Sequence, residues 1–259
     1  SSTRVEAAHL EALESLAGAL PGQQTARVVM VRDLPKDVFT GAIGNYGKVV
    51  GAGSGLLVIG CETEPSVQES AGYVGEAVIL EATARGLDTC WVGGFFDRQV
   101  TEHLVELGPH EHVLAVSPLG YGQSARTGEK MLKRLVGAHK RRPLDEIAPG
   151  FNEEAWPAWA AEGVRMARSA PSAVNRQPWQ FRLDDESTAA AAYAGPTGAV
   201  TLTVLGRGHD GHVSRRLDCG IAMLHFEVGA RLMGAAGRWE TLDPPDVARY
   251  RVVLPGEGD

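Results

Sequence analysis

Residues 169–181 read Ser-Ala-Pro-Ser-Ala-Val-Asn-Arg-Gln-Pro-Trp-Gln-Phe, and this stretch joins a helical pattern to a strand pattern. From Pro171 to Pro178 it places two prolines, a serine hydroxyl and two carboxamides in one short connection. Upstream, residues 153–168 (EEAWPAWAAEGVRMAR) predict a helix, with Pro157 tolerable only in its first turn, where the missing N–H has no helical partner. Downstream, residues 179–183 (WQFRL) and 200–204 (VTLTV) read as strands. Leu217, Ile221, Leu224, Val228 and Leu232 fall on one face of a second helix, and residues 250–254 close the half as a strand.

The first half carries the same order. Residues 5–19 read as an amphipathic helix, followed by the β-branched run at 27–31 and a short apolar strand at 56–59 bounded by glycines. Tyr73, Ala77, Leu80, Ala84 and Leu87 share the face of a helix with Gly86 near its end as a stop, and residues 113–116 form a strand. Each half thus reads helix, strand, strand, helix, strand. The expectation is an α+β (three-layer α/β) fold of two half-domains, residues 1–148 and 149–259, packed on each other as an internal pseudo-dimer. The stretch from Lys140 to Gly150 is basic, carries Pro143 and Pro149, and reads as the linker between them.

Composition narrows the function. With 259 residues, 44% of them hydrophobic and 22% charged, the chain can bury a core and is not a disordered polymer. No run reaches the roughly 18 to 20 apolar residues of a membrane-spanning helix, and the start at Ser1 shows no signal-peptide core. Cys61, Cys90 and Cys219 are widely spaced, which excludes a disulfide scaffold and a zinc knuckle. His110, His112, His209 and His212 lack the cysteine or carboxylate set of a metal site. A cytoplasmic protein without metal or membrane partner is expected. The net charge of -7 argues against general nucleic-acid binding. Residues 126–142 nevertheless hold seven basic side chains against the single acid Glu129. Such a segment in an acidic chain suits an anion site such as a phosphate; a solvated helix face with a basic linker is the alternative.

Asn175 and Gln177 each offer a donor and an acceptor side by side, which suits the edge of a heteroaromatic ring with alternating carbonyls and N–H groups. A capped turn, in which Ser172 and Asn175 satisfy backbone groups, accounts for the residues equally well. Gly206 to Gly211 matches G-x-G-x-x-G between a strand and a helix, with Glu227 downstream. Only about fifty residues follow it, too few for the doubly wound domain that this fingerprint normally opens.

The pattern A-P-S-A-x-N-x-Q-P-W-x-F at 170–181 resembles the signature of the FMN-dependent nitroreductase family. Residues 84–95 (ARGLDTCWVGGF) are similar to that family's long-helix end and glycine turn. Residues 119–122 (LGYG) followed by 140–146 (KRRPLDE) are similar to its phosphate-side tail. In ordinary members the A-P-S-x-x-N segment precedes the glycine turn, and FMN sits at a homodimer interface. Here it follows both other motifs, and the matching place at residues 19–25 has neither the serine nor the asparagine. The halves are complementary, which resembles the fused branch of the family, where two degenerate halves form one FMN site per chain.

The resemblance implies flavin contacts from Pro171, Ser172, Ala173 and Asn175, and close backbone approach at Gly93 and Gly94. It implies phosphate pairing by Arg141 and Lys140. The phosphate-gripping arginines of ordinary members have no counterpart in residues 1–10. Asn45-Tyr46-Gly47 borders the pocket on this reading, Gln177 and Trp179 are structural, and no side chain is assigned a catalytic role. The implied activity is hydride transfer from NADH or NADPH through FMN to a nitroaromatic or quinone, in a monomer or weak homodimer. The alternative is a non-catalytic protein that binds and stores FMN.

Overall fold

The computed structural model describes residues 4–22, 24–39, 52–64, 66–122, 140–184, 198–206, 209–210 and 213–253. The chain forms two compact units. The first comprises Ser1–His139 with Ala173–Asn175 and Asp210–Val213, and the second comprises Lys140–Ser172, Arg176–His209 and Ser214–Asp259.

The first unit runs α1 (Ala7–Ala19), β1 (Ala26–Val31), β2 (Ser54–Cys61), α2 (Val67–Ala84), β3 (Asp88–Thr89), α3 (Arg98–Glu102) and β4 (Glu111–Gly120). Its strands form one antiparallel sheet in the order β1-β2-β4-β3, with Val28 opposite Val58 and Val58 opposite Ala115. Leu56 to Ile59 in β2 are all fully buried. An unbroken apolar run, rather than an alternating one, is what a strand covered on both faces requires. On one face Leu57 and Ile59 pack with Leu34, Val38, Val113 and Val116. On the other, α2 comes so near that a Cβ on Gly75 would lie 3.0 Å from Val58 Cγ2 and 2.4 Å from Trp91 Cη2. At the sheet margin Arg27 Nε donates to Glu111 Oε1 at 2.8 Å, and this bond holds the Glu111 carboxyl down at about 2.

The second unit contains α4 (Leu144–Ile147), α5 (Ala158–Ser169), β5 (Trp179–Leu183) and β6 (Ala199–Val204). The two-residue strands β7 (His209–Asp210) and β8 (Val213–Ser214), whose Asp210 and Val213 belong to the first unit, pair with each other, and in the second unit α6 (Arg215–Leu232), β9 (Gly237–Thr241) and β10 (Asp246–Val252) follow. This sheet is also antiparallel, in the order β5-β6-β10-β9. Both sheets therefore follow one plan, first-second-fourth-third along the chain. Its core is aromatic. Phe226 stacks on Phe181 at a centroid distance of 5.2 Å and meets the edges of Tyr250 at 5.4 Å and Trp159 at 6.2 Å. The helices α5 and α6 cross on bare backbone. A Cβ on Gly229 would lie 2.6 Å from the Glu162 carbonyl oxygen, and one on Gly163 would lie 2.7 Å from the Phe226 ring.

Five sequence-based expectations change. The face predicted for α2 is not the one it buries: Tyr73, Ala77 and Leu80 are half-buried and Ala84 is exposed, whereas Val74, Val78, Ile79 and Ala82, on the side where Gly75 lets the helix approach β2, are buried. Each sheet has a fourth strand that the pattern did not announce, because β3 has two residues and β9 (GRWET) is a polar edge strand bonded to one neighbour. The predicted helix at 153–168 begins only at Ala158, since Pro157 holds an extended ψ of 137° in front of it. The apolar stripe of α6 stays buried through Leu224, but Val228 and Leu232 are 38% and 66% exposed. The stretch from Lys140 to Gly150 is not a loose linker: it carries α4, and its basic residues are bonded into the second unit. The antiparallel second sheet also removes the dinucleotide reading of Gly206–Gly211, which needs a parallel strand-helix-strand unit. Among the described residues, no helix is long and apolar enough to cross a membrane.

Candidate functional site

The helix α5 ends at Ser169, and the chain enters a turn with an uncommon backbone. Val174, Asn175 and Gln177 have φ of 47°, 57° and 45°, three left-handed residues within four positions and none of them glycine. For a β-branched residue this is a true outlier, costing about 1–2 kcal/mol. Such strain persists only where the surroundings over-determine it. Here they do. Gln177 N donates to Ser172 Oγ at 2.9 Å, closing the turn across its base. Arg176 Nε donates to Asp218 Oδ2 of α6 at 2.5 Å, and these side chains are only 8% and 2% exposed.

Val174 itself is 62% exposed, so its side chain adds little packing to offset the strain. Val174→Gly is expected to raise unfolding stability by about 1 kcal/mol, read as a higher urea midpoint at unchanged m-value. A lower midpoint would show that the valine side chain holds the turn in place.

Beside the turn runs the stretch 140–142. Gln177 is buried, and its carboxamide accepts from Arg142 N at 2.9 Å and donates to Lys140 O at 3.2 Å. Arg142 Nη1 donates to Gln177 O at 3.3 Å, and Arg168 Nε of α5 donates to Arg142 O at 2.7 Å. Arg141 Nη2 donates to Ser169 O at 3.2 Å, at the carbonyl end of α5. Burial and, after it, the positive charge of Arg168 push the Arg141 guanidinium below its ordinary pKa. Two cationic side chains, each half-buried, thus lie close together at a helix C-terminus. The negative end of the helix dipole supports them there.

In the first unit the glycine turn is laid along β4. Asp88 accepts from Gly122 N at 2.6 Å, and Cys90 N donates to Ser117 Oγ at 3.2 Å. Val92 and Val116 exchange backbone bonds of 2.8 and 2.9 Å. The Trp91 indole donates to the buried Glu76 carboxylate at 2.6 Å. The chain then reaches Gly93 and Gly94, followed by the 55% exposed Phe95. A Cβ on Gly93 would come within 2.7 Å of Val213 Cγ2, so packing on Val213 already demands glycine there.

Of the residues singled out from the sequence, Gly93, Gly94, Ala173 and Asn175 belong to the first unit. Lys140, Arg141, Pro171 and Ser172 belong to the second, where Gln177 bonds both Ser172 and Lys140. Asn45-Tyr46-Gly47 and the basic residues from Arg126 to Arg134 lie outside the described residues. Sequence reasoning did not single out Arg168, Arg176 or Asp218. A signal for Asp218 was present, since an acid beside the apolar stripe of α6 points to a buried ion pair. Among the described residues no group of three His, Cys, Asp or Glu side chains could hold a metal ion.

Similarity to known proteins agrees with this architecture. The family model described as "Putative TM nitroreductase" matches residues 1–230. The crystal structure of a "putative nitroreductase (tm1586)" from Thermotoga maritima is 19% identical, covers 96% of this chain and 88% of its own, and superposes with a TM-score of 0.57. An "oxidoreductase containing FMN" is 18% identical over 58% of this chain and 84% of its own, at a TM-score of 0.45. An "FMN-dependent nitroreductase" of Clostridium difficile is 17% identical over 49% of this chain and 82% of its own, at 0.40. No curated protein matches the sequence. Because the family match spans the glycine turn at Gly93, the stretch at Arg141 and the left-handed turn at Asn175 alike, this chain belongs to the TM nitroreductase family.

Proposed function

We propose that this protein is an FMN-dependent oxidoreductase of the nitroreductase type, taking hydride from NADH or NADPH and delivering it to an electron-poor acceptor such as a nitroaromatic or a quinone. Bound FMN supplies the redox chemistry, and the protein supplies position and electrostatics.

The observation that carries this reading is the donor set of the second unit. Arg141 lies half-buried beside Arg168, its proton affinity lowered by burial and by that neighbour. A phosphate dianion relieves such repulsion and makes charge-assisted bonds to guanidinium groups. Lys140, exposed on the same stretch, adds positive charge. Ser172 Oγ accepts from Gln177 N, which leaves its O–H as a donor suited to a ring carbonyl. Asn175 offers both hydrogen-bonding senses, and the N–H groups of Gly93 and Gly94 suit a ring that gains negative charge on reduction. Phe95, exposed next to these glycines, is a surface for a flat acceptor.

Titration with FMN, followed by flavin fluorescence, tests the reading. Arg141→Ala is expected to weaken binding by about 1.5–3 kcal/mol, the range for a hydrogen bond to a charged group, and Asn175→Ala to weaken it as well. Equal affinity in the wild type and both variants would overturn these assignments. FMN that binds but is not bleached by NADH or NADPH under anaerobic conditions would make the protein a flavin store.

A further inference from the structure

Gln177 has every polar group engaged. Its N–H meets Ser172 Oγ at 2.9 Å, its Oε1 meets Arg142 N at 2.9 Å, its Nε2 meets Lys140 O at 3.2 Å, and its carbonyl oxygen accepts from Arg142 Nη1 at 3.3 Å. A carboxamide that accepts from one residue's N–H and donates to the carbonyl two positions earlier does the work of a peptide group on a neighbouring β-strand. It pins the backbone on both sides of Arg141 and leaves that residue between two fixed neighbours. The left-handed φ of 45° at Gln177 is tolerated only because these bonds over-determine it. The Arg168 bond to Arg142 O ties the same stretch to α5 from another direction.

We propose that Gln177 is a positioning residue for anion binding: through the backbone of Lys140 and Arg142 it fixes Arg141 where a phosphate monoester is taken up. The inference rests on the phosphate role proposed for Arg141 and adds to it the residue that sets its geometry. A purely structural Gln177 would affect the binding of any flavin, whereas a positioning Gln177 affects the phosphorylated one.

The experiment compares FMN with riboflavin, which lacks the phosphate, in the wild type, Gln177→Ala and Gln177→Glu. Glutamate keeps the acceptor for Arg142 N and loses the donor to Lys140 O, so it serves where alanine fails to fold. FMN affinity is expected to fall about tenfold, as for the loss of one good hydrogen bond, with riboflavin affinity changed less than twofold. Adding Gln177→Ala to Arg141→Ala is expected to cause no further loss. Unchanged FMN affinity, or equal loss for both flavins, overturns the proposal. A wild type that binds neither flavin defeats the FMN reading, and inorganic phosphate then decides about Gln177 alone. A thermal shift with phosphate that both Gln177→Ala and Arg141→Ala abolish supports the anion site; no shift in the wild type, or an undiminished one in Gln177→Ala, overturns it.

Discussion

Asp218→Ala is expected to destabilise the protein by about 3–5 kcal/mol, the cost of stripping one partner from a buried ion pair. The Arg176 side chain is 8% exposed and bonded at 2.5 Å to a carboxylate that is 2% exposed. With the carboxylate gone, the guanidinium keeps its burial and loses the charge that compensated it. Two further costs follow from position. Asp218 lies in the first turn of α6, where an acid favours the positive end of the helix dipole. Arg176 sits between the left-handed Asn175 and Gln177, so its release loosens a backbone already under strain. Urea unfolding of Asp218→Ala measures the total. Arg176→Met combined with Asp218→Leu is expected to be nearly neutral, because replacing both charges removes the desolvation penalty along with the attraction. A single-variant loss below about 1 kcal/mol would mean that solvent reaches Arg176 and that the pair does not anchor the turn.

Phe226→Ala is expected to cost about 3–5 kcal/mol, in the range for deleting a buried aromatic ring. Phe226 is fully buried and lies against Phe181, Tyr250, Trp159 and Trp239. The same ring fills the space that a side chain at Gly163 would take. Neighbours can close the void only by moving α5 against α6, and Gly229 already sits against the Glu162 carbonyl there. Relaxation is therefore small, and the loss belongs at the upper end of the range. Thermal unfolding with tryptophan fluorescence reads both the stability and the ring cluster, through Trp159 and Trp239. A loss under about 1.5 kcal/mol, the usual limit for a well-tolerated core swap, would show that this interface repacks freely.

Much of the framework was legible in the chain. The run at 56–59 announced a short apolar strand, which the structure buries on both faces, and residues 179–183 form β5 as read. The first three apolar positions of α6 point inward, because periodicity reports burial wherever one side of an element meets a core. The stripe read for α2 does not: the helix buries Val74, Val78, Ile79 and Ala82, while Tyr73, Ala77 and Leu80 are half-buried and Ala84 is exposed. The A-P-S-A-x-N pattern and the glycine turn marked the family. The edge strands β3 and β9 were hidden, since an edge strand is specified by its one bonded neighbour and needs no apolar alternation of its own.

The candidate site divides along the same physical line. Resemblance to the nitroreductase motifs named Arg141, Ser172, Asn175 and Gly93, because a motif is carried by the order of residues along the chain wherever the chain goes. Folding alone chose their partners: Arg176 meets Asp218 across 42 positions, and Gln177 meets Arg142 across 35. No pattern foretells the second pairing, since every non-proline backbone offers the same N–H and every residue the same carbonyl. Which of them a buried carboxamide reaches is settled when distant segments pack, and that packing turns an ordinary core glutamine into the brace for a basic stretch.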